Sequence, residues 1–368
     1  MQRCCLSEKR KLPYFPELDG VRGAAALAVF VHHFFQYASP TLFLSNAARY
    51  GYLGVQAFFV LSGFLITSLL FSDRENPDLL SNFYWKRVLR IWPVLIVHVL
   101  VLWLVVKRPF TDPYIVLSLL FVVNFSSRFG KPQAVGPAWT LAIEEQFYLI
   151  WPHVVRWCEV NSVFWISCFV AILSSAGRTL VPLLHHGAID LQYTFYQCDG
   201  LALGAIIACQ WFSRDGLSRR AAQVANQLNG RGLIVLAIIL LTIIGLLPEG
   251  NLRIGLCMLA TTLFTYRIVS LVVLKRSRSK MLSWLKSPPM LFMGSISYGF
   301  YMYQWFVIGW LKERLGLTHR LTISKTLAAF CCVLAANLLV SYLSLRLIEI
   351  PVRKLGKFRI RHAKRSVA

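Results

Sequence analysis

The sequence predicts an all-α membrane protein with about ten transmembrane helices. Of its 368 residues, 57% are hydrophobic and 15% are charged, a balance typical of chains that cross a bilayer repeatedly. Apolar segments of about 17–25 residues recur along the chain, and each is long enough to span a hydrocarbon core of ~30 Å. The net charge of +23 is concentrated in the short segments between them. It therefore indicates topology signals and contacts with membrane lipids, and no nucleic-acid partner is expected.

The distribution of basic residues predicts how many of these apolar segments cross the membrane and on which side their connections lie. The candidates are residues 21–38, 50–71, 88–107, 113–125, 139–157, 161–177, 195–212, 231–247, 252–274, 290–311 and 325–348. Basic residues fill the N-terminus, the 72–90, 213–231 and 275–286 connections and the tail from Arg353, and the positive-inside rule places all five in the cytoplasm. Five of these segments lie between residues 90 and 213, but an odd number of crossings cannot join two connections on the same side of the membrane. One of them, 113–125 or 139–151, is therefore expected not to cross, which leaves ten spans and two cytoplasmic termini.

The chain is expected to be a single membrane domain over 1–368, with short basic tails at 1–15 and 352–368. The basic N-terminus followed by an apolar run raises the possibility of a signal peptide, but the run contains Arg22, His32 and His33, which favours a retained first helix. The nine cysteines include no Cys-x-x-Cys pair. They are interpreted as small buried hydrophobic residues, and no metal site is predicted.

Asp19, Arg22 and His33 are the first candidates for chemistry. Eleven residues separate Arg22 from His33, so a helix returns them to within about 20° of one face, roughly 16 Å apart along its axis. This predicts a cation at one membrane edge and an imidazole deep in the bilayer, where ionisable groups are usually functional. Asp19 lies one turn from Arg22 and can pair with it. The sequence alone does not exclude an equal role for His32.

Two further stretches are candidates for close helix packing and for a cationic face. In Gly51-Tyr-Leu-Gly-Val-Gln-Ala-Phe-Phe-Val-Leu-Ser-Gly-Phe-Leu-Ile66, small residues would let helices approach closely, and Gln56 is polar enough to face a cavity. In Phe83-Tyr-Trp-Lys-Arg-Val-Leu-Arg-Ile-Trp-Pro93, Lys86 or Arg87 with Arg90 would form a cationic face at spacings of four and three residues. Such a face is either a topology cluster or a site for phosphate groups.

A fourth stretch, Trp139-Thr-Leu-Ala-Ile-Glu-Glu-Gln-Phe-Tyr-Leu-Ile-Trp-Pro152, places two carboxylates and an amide in an apolar setting. Such groups are costly there unless they have a function, although a solvated interfacial turn would also explain them. Glu144 could orient a histidine and stabilise its charged form. Lesser candidates are Asp199, the run from Ser295 to Trp305, and Glu349, which could pair with the basic tail.

Several classes of protein lack support in the sequence. There is no Walker loop, dinucleotide fingerprint, zinc spacing or Gly-x-Ser-x-Gly elbow. This argues against an ATP-driven pump and against a serine hydrolase.

Taken in order, these stretches resemble the acyltransferase-3 family of membrane acyltransferases, from about Phe15 to Pro351. The resemblance rests on Glu17-Leu-Asp-Gly-Val-Arg-Gly23 with a histidine eleven residues after the arginine, on Phe58-Phe-Val-Leu-Ser-Gly-Phe-Leu-Ile66, and on Trp139-Thr-Leu-Ala-Ile-Glu-Glu-Gln-Phe-Tyr148. It implies transfer of an acyl group, usually acetyl from acetyl-CoA, to a hydroxyl of an envelope carbohydrate. O-antigen, exopolysaccharide and peptidoglycan precursors are the acceptors that the family suggests.

The resemblance also implies roles for individual residues. Catalysis is assigned to His33 with Glu144 or Asp19, acetyl-CoA binding to Arg22, Lys86, Arg87 and Arg90, and acceptor binding to Tyr148, Asp199 and Gln304. Three positions depart from the family pattern: Lys86 stands where arginine is common, Gln197 where an arginine often precedes the Asp199 position, and Gln304 where histidine is frequent. Because position 304 holds glutamine, an essential second histidine at this position is not expected.

The expected mechanism places the phosphates of acetyl-CoA at the arginines and its thioester near His33. His33 would act as a general base on the acceptor hydroxyl or relay the acyl group as an acyl-imidazole. The partners would be acetyl-CoA, a glycan or lipid-linked saccharide, and membrane lipids, in the inner membrane of a bacterium. A transporter or flippase would explain intramembrane polar residues equally well, but not the arginines converging below a histidine. A membrane scaffold or sensor is the third class.

Overall fold

The computed structural model describes residues 12–37, 48–131, 136–184, 190–213, 216–230, 232–275, 280–317 and 322–354. The basic segments 1–11 and 355–368, Arg214, Arg231, Arg276, Arg278, Cys4 and Cys5 lie outside these ranges. The principal helices are α1 (Pro16–Tyr37), α2 (Gly54–Ser72), α3 (Leu79–Leu104), α4 (Pro113–Leu119), α5 (Ala138–Trp157), α6 (Val160–Leu184), α7 (Thr194–Phe212), α8 (Arg219–Leu228), α9 (Gly232–Leu246), α10 (Asn251–Val273), α11 (Pro288–Arg314) and α12 (Ile323–Ser344). Short 3₁₀ segments cover Arg49–Leu53, Val123–Phe129 and Trp284–Lys286, and a π-helix, Leu345–Glu349, continues α12.

The all-α membrane class is supported by five apolar helical stretches. They are Arg49–Ser72, Leu79–Leu104, Val160–Leu184, Asn251–Val273 and Ile323–Lys354, each long and apolar enough to cross a bilayer. The 113–125 segment forms α4, of only 7 residues, followed by a 3₁₀ helix. A helix of 7 residues rises about 10 Å, too little for a crossing. Residues 139–151, the alternative candidate for the segment that does not cross, lie in the 20-residue α5, which is not among the five apolar stretches found in the described residues.

Short connections make successive helices antiparallel, which gives the bundle two ends. We call them the Arg22 end and the His33 end, after the two residues of α1. Gly20, near the start of α1, abuts Leu285 just before α11. Gly51, just before α2, abuts Ala28 and His32 of α1 towards the other end. Every site described below is placed relative to these two ends.

Glycines bring the central helices into backbone contact. A Cβ atom at Gly63 of α2 would lie 1.9 Å from the Leu201 carbonyl oxygen of α7, and one at Gly204 would lie 2.1 Å from the Val60 carbonyl oxygen. Gly54 approaches Ala25 of α1 in the same way. The prediction that small residues permit close approach is confirmed for Gly54 and Gly63, since helices in lipid associate largely through such packing.

We expect Gly204→Ala to lower the melting temperature of the detergent-solubilised protein clearly. The added methyl group would collide with backbone atoms, which cannot rotate away, at a cost of about 1–3 kcal/mol or more. Fluorescence-detected size exclusion after heating measures the shift. Gly245→Ala is the matched control, because a Cβ there meets no described atom within 4 Å. Equal melting temperatures for the two variants would show that α2 and α7 do not pack in this way.

Candidate functional site

Arg22 and Asp19 form a local ion pair near the start of α1. Arg22 Nη1 donates to Asp19 Oδ1 at 3.1 Å, and the Tyr14 hydroxyl donates to Asp19 Oδ2 at 2.7 Å. The hydrogen bond to Asp19 raises the pKa of Tyr14 above its usual value. The predicted pairing of residues one turn apart is confirmed. Both carboxylate oxygens of Asp19 are engaged by these two groups.

Arg87 and Arg90 of α3 extend this cationic region into the bundle. The Arg87 guanidinium lies over the rings of Tyr148 and Phe83, 5.1 and 5.6 Å from their centroids. In the described part of the chain, the arginine ion pairs near this cluster are Arg22–Asp19 and Arg353–Glu349, and Arg87 and Arg90 belong to neither. Two half-buried guanidinium groups are thus left with hydrogen-bonding capacity.

The structure distinguishes Arg87 from its neighbour Lys86, which the sequence left as alternatives. Lys86 is exposed, whereas Arg87 and Arg90 are partly buried. One residue corresponds to about 100° around a helix, so the two side chains leave α3 in different directions. Arg87 and Arg90 therefore form the partly buried portion of the cationic face, and a role for the exposed Lys86 in donor binding stays a prediction.

Glu144 and Tyr148 of α5 meet α2 beside the arginines. Ser62 Oγ donates to Glu144 Oε1 at 2.5 Å, and the Tyr148 hydroxyl donates to Ser62 Oγ at 3.0 Å. Glu144 interacts electrostatically with Arg87, Arg90 and Arg22. Ser62, expected to serve helix packing, instead holds a functional candidate. Tyr148, expected at the acceptor, lies with the arginines.

A π-helix brings a further carboxylate to the cluster. Glu349 is 2% exposed and accepts a hydrogen bond from Arg353 at 2.5 Å, which confirms the predicted local pair with the basic tail. It also interacts electrostatically with Arg90. Single π-turns within α-helices frequently mark functional positions. We define the arginine cluster as Arg22, Arg87, Arg90, Glu144, Tyr148 and Glu349.

His33 lines a cavity of about 410 Å³ at the opposite end of the bundle. The ring lies 4.9 Å from that of Trp305 on α11, and its buried Nδ1 has no hydrogen-bond partner among the described residues. The cavity is lined by His33, Gln36, Tyr52, Trp139, Gln192, Gln197, Asn251, Tyr301 and Trp305, with apolar residues between them. Aromatic walls with a few convergent polar groups are typical of small-molecule sites.

His33 lies towards one end of the described helical bundle. It stands four residues before the last residue of α1, and Asn251 and Trp139, which share its cavity, stand at or beside the first residues of α10 and α5. The depth of the imidazole in a bilayer stays a prediction.

His32 and His33 differ in their surroundings. His32 Nδ1 is hydrogen-bonded to the Ala48 carbonyl at 3.2 Å, and its Nε2 to Gln36 at 3.0 Å. Both nitrogens of His32 are thus used: the bond to Ala48 joins α1 to the segment before α2, and the bond to Gln36 lies within α1. His33 alone of the two lines the cavity and keeps a nitrogen available for a ligand.

Neither carboxylate proposed to orient His33 contacts it. Asp19 is bound by Arg22 and Tyr14, and Glu144 is bound by Ser62. The link between cluster and cavity is Tyr301, which lines the cavity, accepts a hydrogen bond from Thr140 Oγ1 at 3.1 Å and interacts electrostatically with Glu144. Sequence analysis named the run from Ser295 to Trp305 without singling out Tyr301 or Trp305.

Asp199 lies in a buried ion pair and does not line the His33 cavity. Arg178 of α6 donates to Asp199 Oδ1 at 3.1 Å and also contacts Oδ2, and both side chains are 0% exposed. The sequence pattern does not indicate Arg178, because the sixth predicted apolar segment ends at 177. An arginine within an apolar run was the signal available. Asp199 thus joins α6 to α7 through this pair, and its contact with an acceptor stays a prediction.

We expect Asp199→Asn to destabilise the protein by about 3–5 kcal/mol, because it leaves the Arg178 charge buried and uncompensated. Asp199→Leu combined with Arg178→Met should recover much of this loss, since it removes both charges. Thermal unfolding of the purified protein measures both variants. Wild-type stability in Asp199→Asn would contradict the buried pair.

Two of three buried amides, Gln56 and Gln304, lie outside the two described cavities. Gln56 does not line the described cavities: it donates to Gln197 at 2.8 Å and accepts from Thr262 at 3.0 Å, which ties α2 to α7 and α10. Gln304 is 0% exposed and donates to the Tyr301 carbonyl at 3.1 Å. It therefore lies within helix packing and lines neither described cavity. Gln197, in contrast, reaches the His33 cavity.

An all-α bundle with five helical stretches apolar enough to cross a bilayer, partly buried arginines at one end and an imidazole cavity at the other defines a multi-pass membrane protein with an internal site. Among the described residues, no cluster of histidine, cysteine or carboxylate side chains could hold a metal ion. A family model described as "Acyltransferase domain" matches residues 15–346. The chain belongs to this acyltransferase family.

Relatives of this chain carry names that refer to O-acetyl transfer. The chain is 28% identical to the peptidoglycan O-acetyltransferase OatA of Listeria monocytogenes over 375 residues, covering 93% of this chain and 56% of the relative. It is 30% identical to the putative peptidoglycan O-acetyltransferase YrhL of Bacillus subtilis, over 53% of this chain and 32% of the relative. A putative O-acetyltransferase of Staphylococcus aureus strain COL is 26% identical, over 94% and 58%.

The chain thus spans little more than half the length of the L. monocytogenes and S. aureus relatives and about a third of the B. subtilis one. No solved structure matches it.

Proposed function

We propose that the protein is an inner-membrane O-acetyltransferase that moves an acetyl group from acetyl-CoA to a hydroxyl of an envelope carbohydrate. The observation that carries this proposal is the pair of half-buried guanidinium groups of Arg87 and Arg90, which enter no ion pair within the described chain. Guanidinium groups bind phosphate through paired hydrogen bonds. Together with Arg22 they would hold the phosphates of the donor.

The acyl end of the donor would reach the His33 cavity along α1. Arg22 and His33 are separated by about 16 Å along the helix, and Tyr301 lies between cluster and cavity. A donor with phosphates at one end and a thioester on a long arm suits this separation. Trp139, Tyr301 and Trp305 would enclose the reacting groups and exclude water.

The chemistry assigned to His33 is general-base catalysis. His33 would accept the proton of the acceptor hydroxyl as its oxygen attacks the thioester carbonyl carbon. The carbon–sulfur bond then breaks, and the CoA thiolate leaves and takes up that proton. Acyl transfer by way of an acyl-imidazole would use the same nitrogen as a nucleophile.

A carbohydrate acceptor is supported by the lining and by the relatives. Amide side chains of Gln36, Gln192 and Gln197 beside aromatic rings offer hydrogen bonds and flat apolar surfaces to a saccharide. The names of the relatives refer to peptidoglycan, which favours a glycan of the cell wall. O-antigen and exopolysaccharide are the other envelope glycans in this class.

Acetyl-CoA labelled in the acetyl group, incubated with the purified protein, tests the proposal. We expect the label to appear on a muropeptide or oligosaccharide acceptor, with release of free CoA. Vesicles containing the protein and a labelled saccharide, without acetyl-CoA, test the transporter class in parallel. Uptake of the saccharide without transfer of acetyl would contradict the proposal.

A further inference from the structure

A second, larger cavity of about 1240 Å³ opens beside the His33 cavity. It lies between α3, α4, α11 and α12, at the His33 end of the bundle. Most of its wall is apolar, as shown by Leu102, Val106, Phe306 and Val340. The two cavities share the lining residues Gly136 and Trp305. The Trp305 ring therefore lies between the larger cavity and His33.

Charged residues surround the outer rim of the large cavity. The cations Arg108, Lys131 and Arg314 and the carboxylates Asp112 and Glu313 line it. Arg108 is paired with Asp112 at 3.3 Å, and the Arg314 guanidinium lies over the Trp310 ring, 3.8 Å from its centroid. The rim carries one more cation than carboxylates and holds its arginines at the helix ends. An apolar space with such a rim complements an amphipathic molecule with an anionic head.

His98 supplies an independent sign of a ligand. It lines the cavity and is 2% exposed. The Phe306 ring lies 4.7 Å from its ring, and the Met302 backbone is a hydrogen-bond partner for one ring nitrogen, which leaves the other nitrogen without a partner among the described residues. Buried polar atoms are nearly always hydrogen-bonded. An occupant with an oxygen atom at this position would satisfy the imidazole.

We infer that the large cavity binds the acceptor as a lipid-linked saccharide. Its hydrocarbon chain would lie along Leu102 and Val340, its phosphate would meet Arg314 and Lys131, and its sugar would pass Trp305 towards His33. His98 would hydrogen-bond an oxygen of the head. This inference rests on the proposed acetyl transfer and chooses a lipid-linked acceptor over a free glycan.

Binding can be measured without the donor, so its outcome is separate from that of the transfer assay. The full-length protein is placed in phosphatidylcholine vesicles doped with a polyisoprenyl phosphate carrying N-acetylglucosamine, then solubilised and analysed by native mass spectrometry. Gly309→Phe should reduce retention of this probe by about tenfold, because Gly309 lines the cavity and a Cβ there meets only open space. The new ring would therefore fill the cavity without a clash.

Gly245→Phe is the matched control, since Gly245 is exposed on α9 and a Cβ there also meets open space. It should retain the probe as the wild type does. Arg314→Gln combined with Lys131→Gln should abolish the preference for the phosphate probe over its uncharged polyisoprenyl glycoside analogue.

Equal retention by Gly309→Phe and wild type, or displacement of the probe by phosphatidylcholine at equal amounts, would overturn the inference. Acetylation of a water-soluble oligosaccharide by wild type and Gly309→Phe alike would also overturn it, while leaving the proposed function intact. Absence of transfer to either acceptor, with the probe still bound, would instead refute the proposed function.

Discussion

Replacing His33 with glutamine is expected to lower acetyl transfer by about 10²–10⁴-fold, the usual contribution of a general base. Glutamine resembles histidine in size and polarity but does not accept a proton at neutral pH. Because the buried Nδ1 of His33 has no protein partner in the described residues, the substitution breaks no hydrogen bond of that atom. The loss should appear in kcat, measured with labelled acetyl-CoA, while expression and thermal stability stay near those of the wild type.

Substitutions of two other histidines serve as controls for this test. His32→Gln removes the hydrogen bonds to Ala48 and Gln36, so it should lower stability more than turnover. His153→Gln, on α5 beside Tyr84 and outside both cavities, should leave turnover unchanged. A His33→Gln variant with wild-type kcat would eliminate His33 as base, and a loss confined to His32→Gln would move the role to that residue.

The features that could be predicted from sequence are those set within one helix. The Asp19–Arg22 pair and the joint face of Arg87 and Arg90 follow from spacings of three residues, because helix geometry fixes their relative directions. The failure of 113–125 to cross followed from its length. None of these required knowledge of how helices are rotated against one another.

The features that could not be predicted depend on packing between distant segments. Ser62 and Glu144 are 82 residues apart, and their hydrogen bond requires a particular rotation of α2 against α5. Trp305 reaches His33 only because α11 lies against α1, where Gly23 permits contact with Met290 and Met293. Similarly, Arg178 finds Asp199 across 21 residues and a connection. Hydrophobic patterns identify a buried face but not the helix that will cover it.

Replacing Arg90 with glutamine is expected to raise the apparent KM for acetyl-CoA by about tenfold or more, with a smaller change in kcat. A hydrogen-bonded charge on phosphate contributes about 1.5–3 kcal/mol, and 1.4 kcal/mol corresponds to tenfold in affinity. Arg87→Gln should act in the same direction and also lose its contact with the Tyr148 ring. Since the cluster lies at the opposite end of the bundle from His33, ground-state binding should suffer more than the chemical step.

Lys286→Gln is the matched control for this loss of charge. Lys286 is a cation at the same end of the bundle, but it is bound to Glu17 at 2.6 Å and lies outside the arginine cluster. Its removal should leave the KM for acetyl-CoA unchanged, which separates a specific phosphate contact from a general decrease in positive potential. Dephospho-CoA thioesters extend the test, because a donor lacking the phosphate bound by Arg90 should bind wild type and Arg90→Gln equally. If Arg90→Gln, Arg87→Gln and Lys286→Gln all kept the wild-type KM, the arginine cluster would have no part in binding the donor.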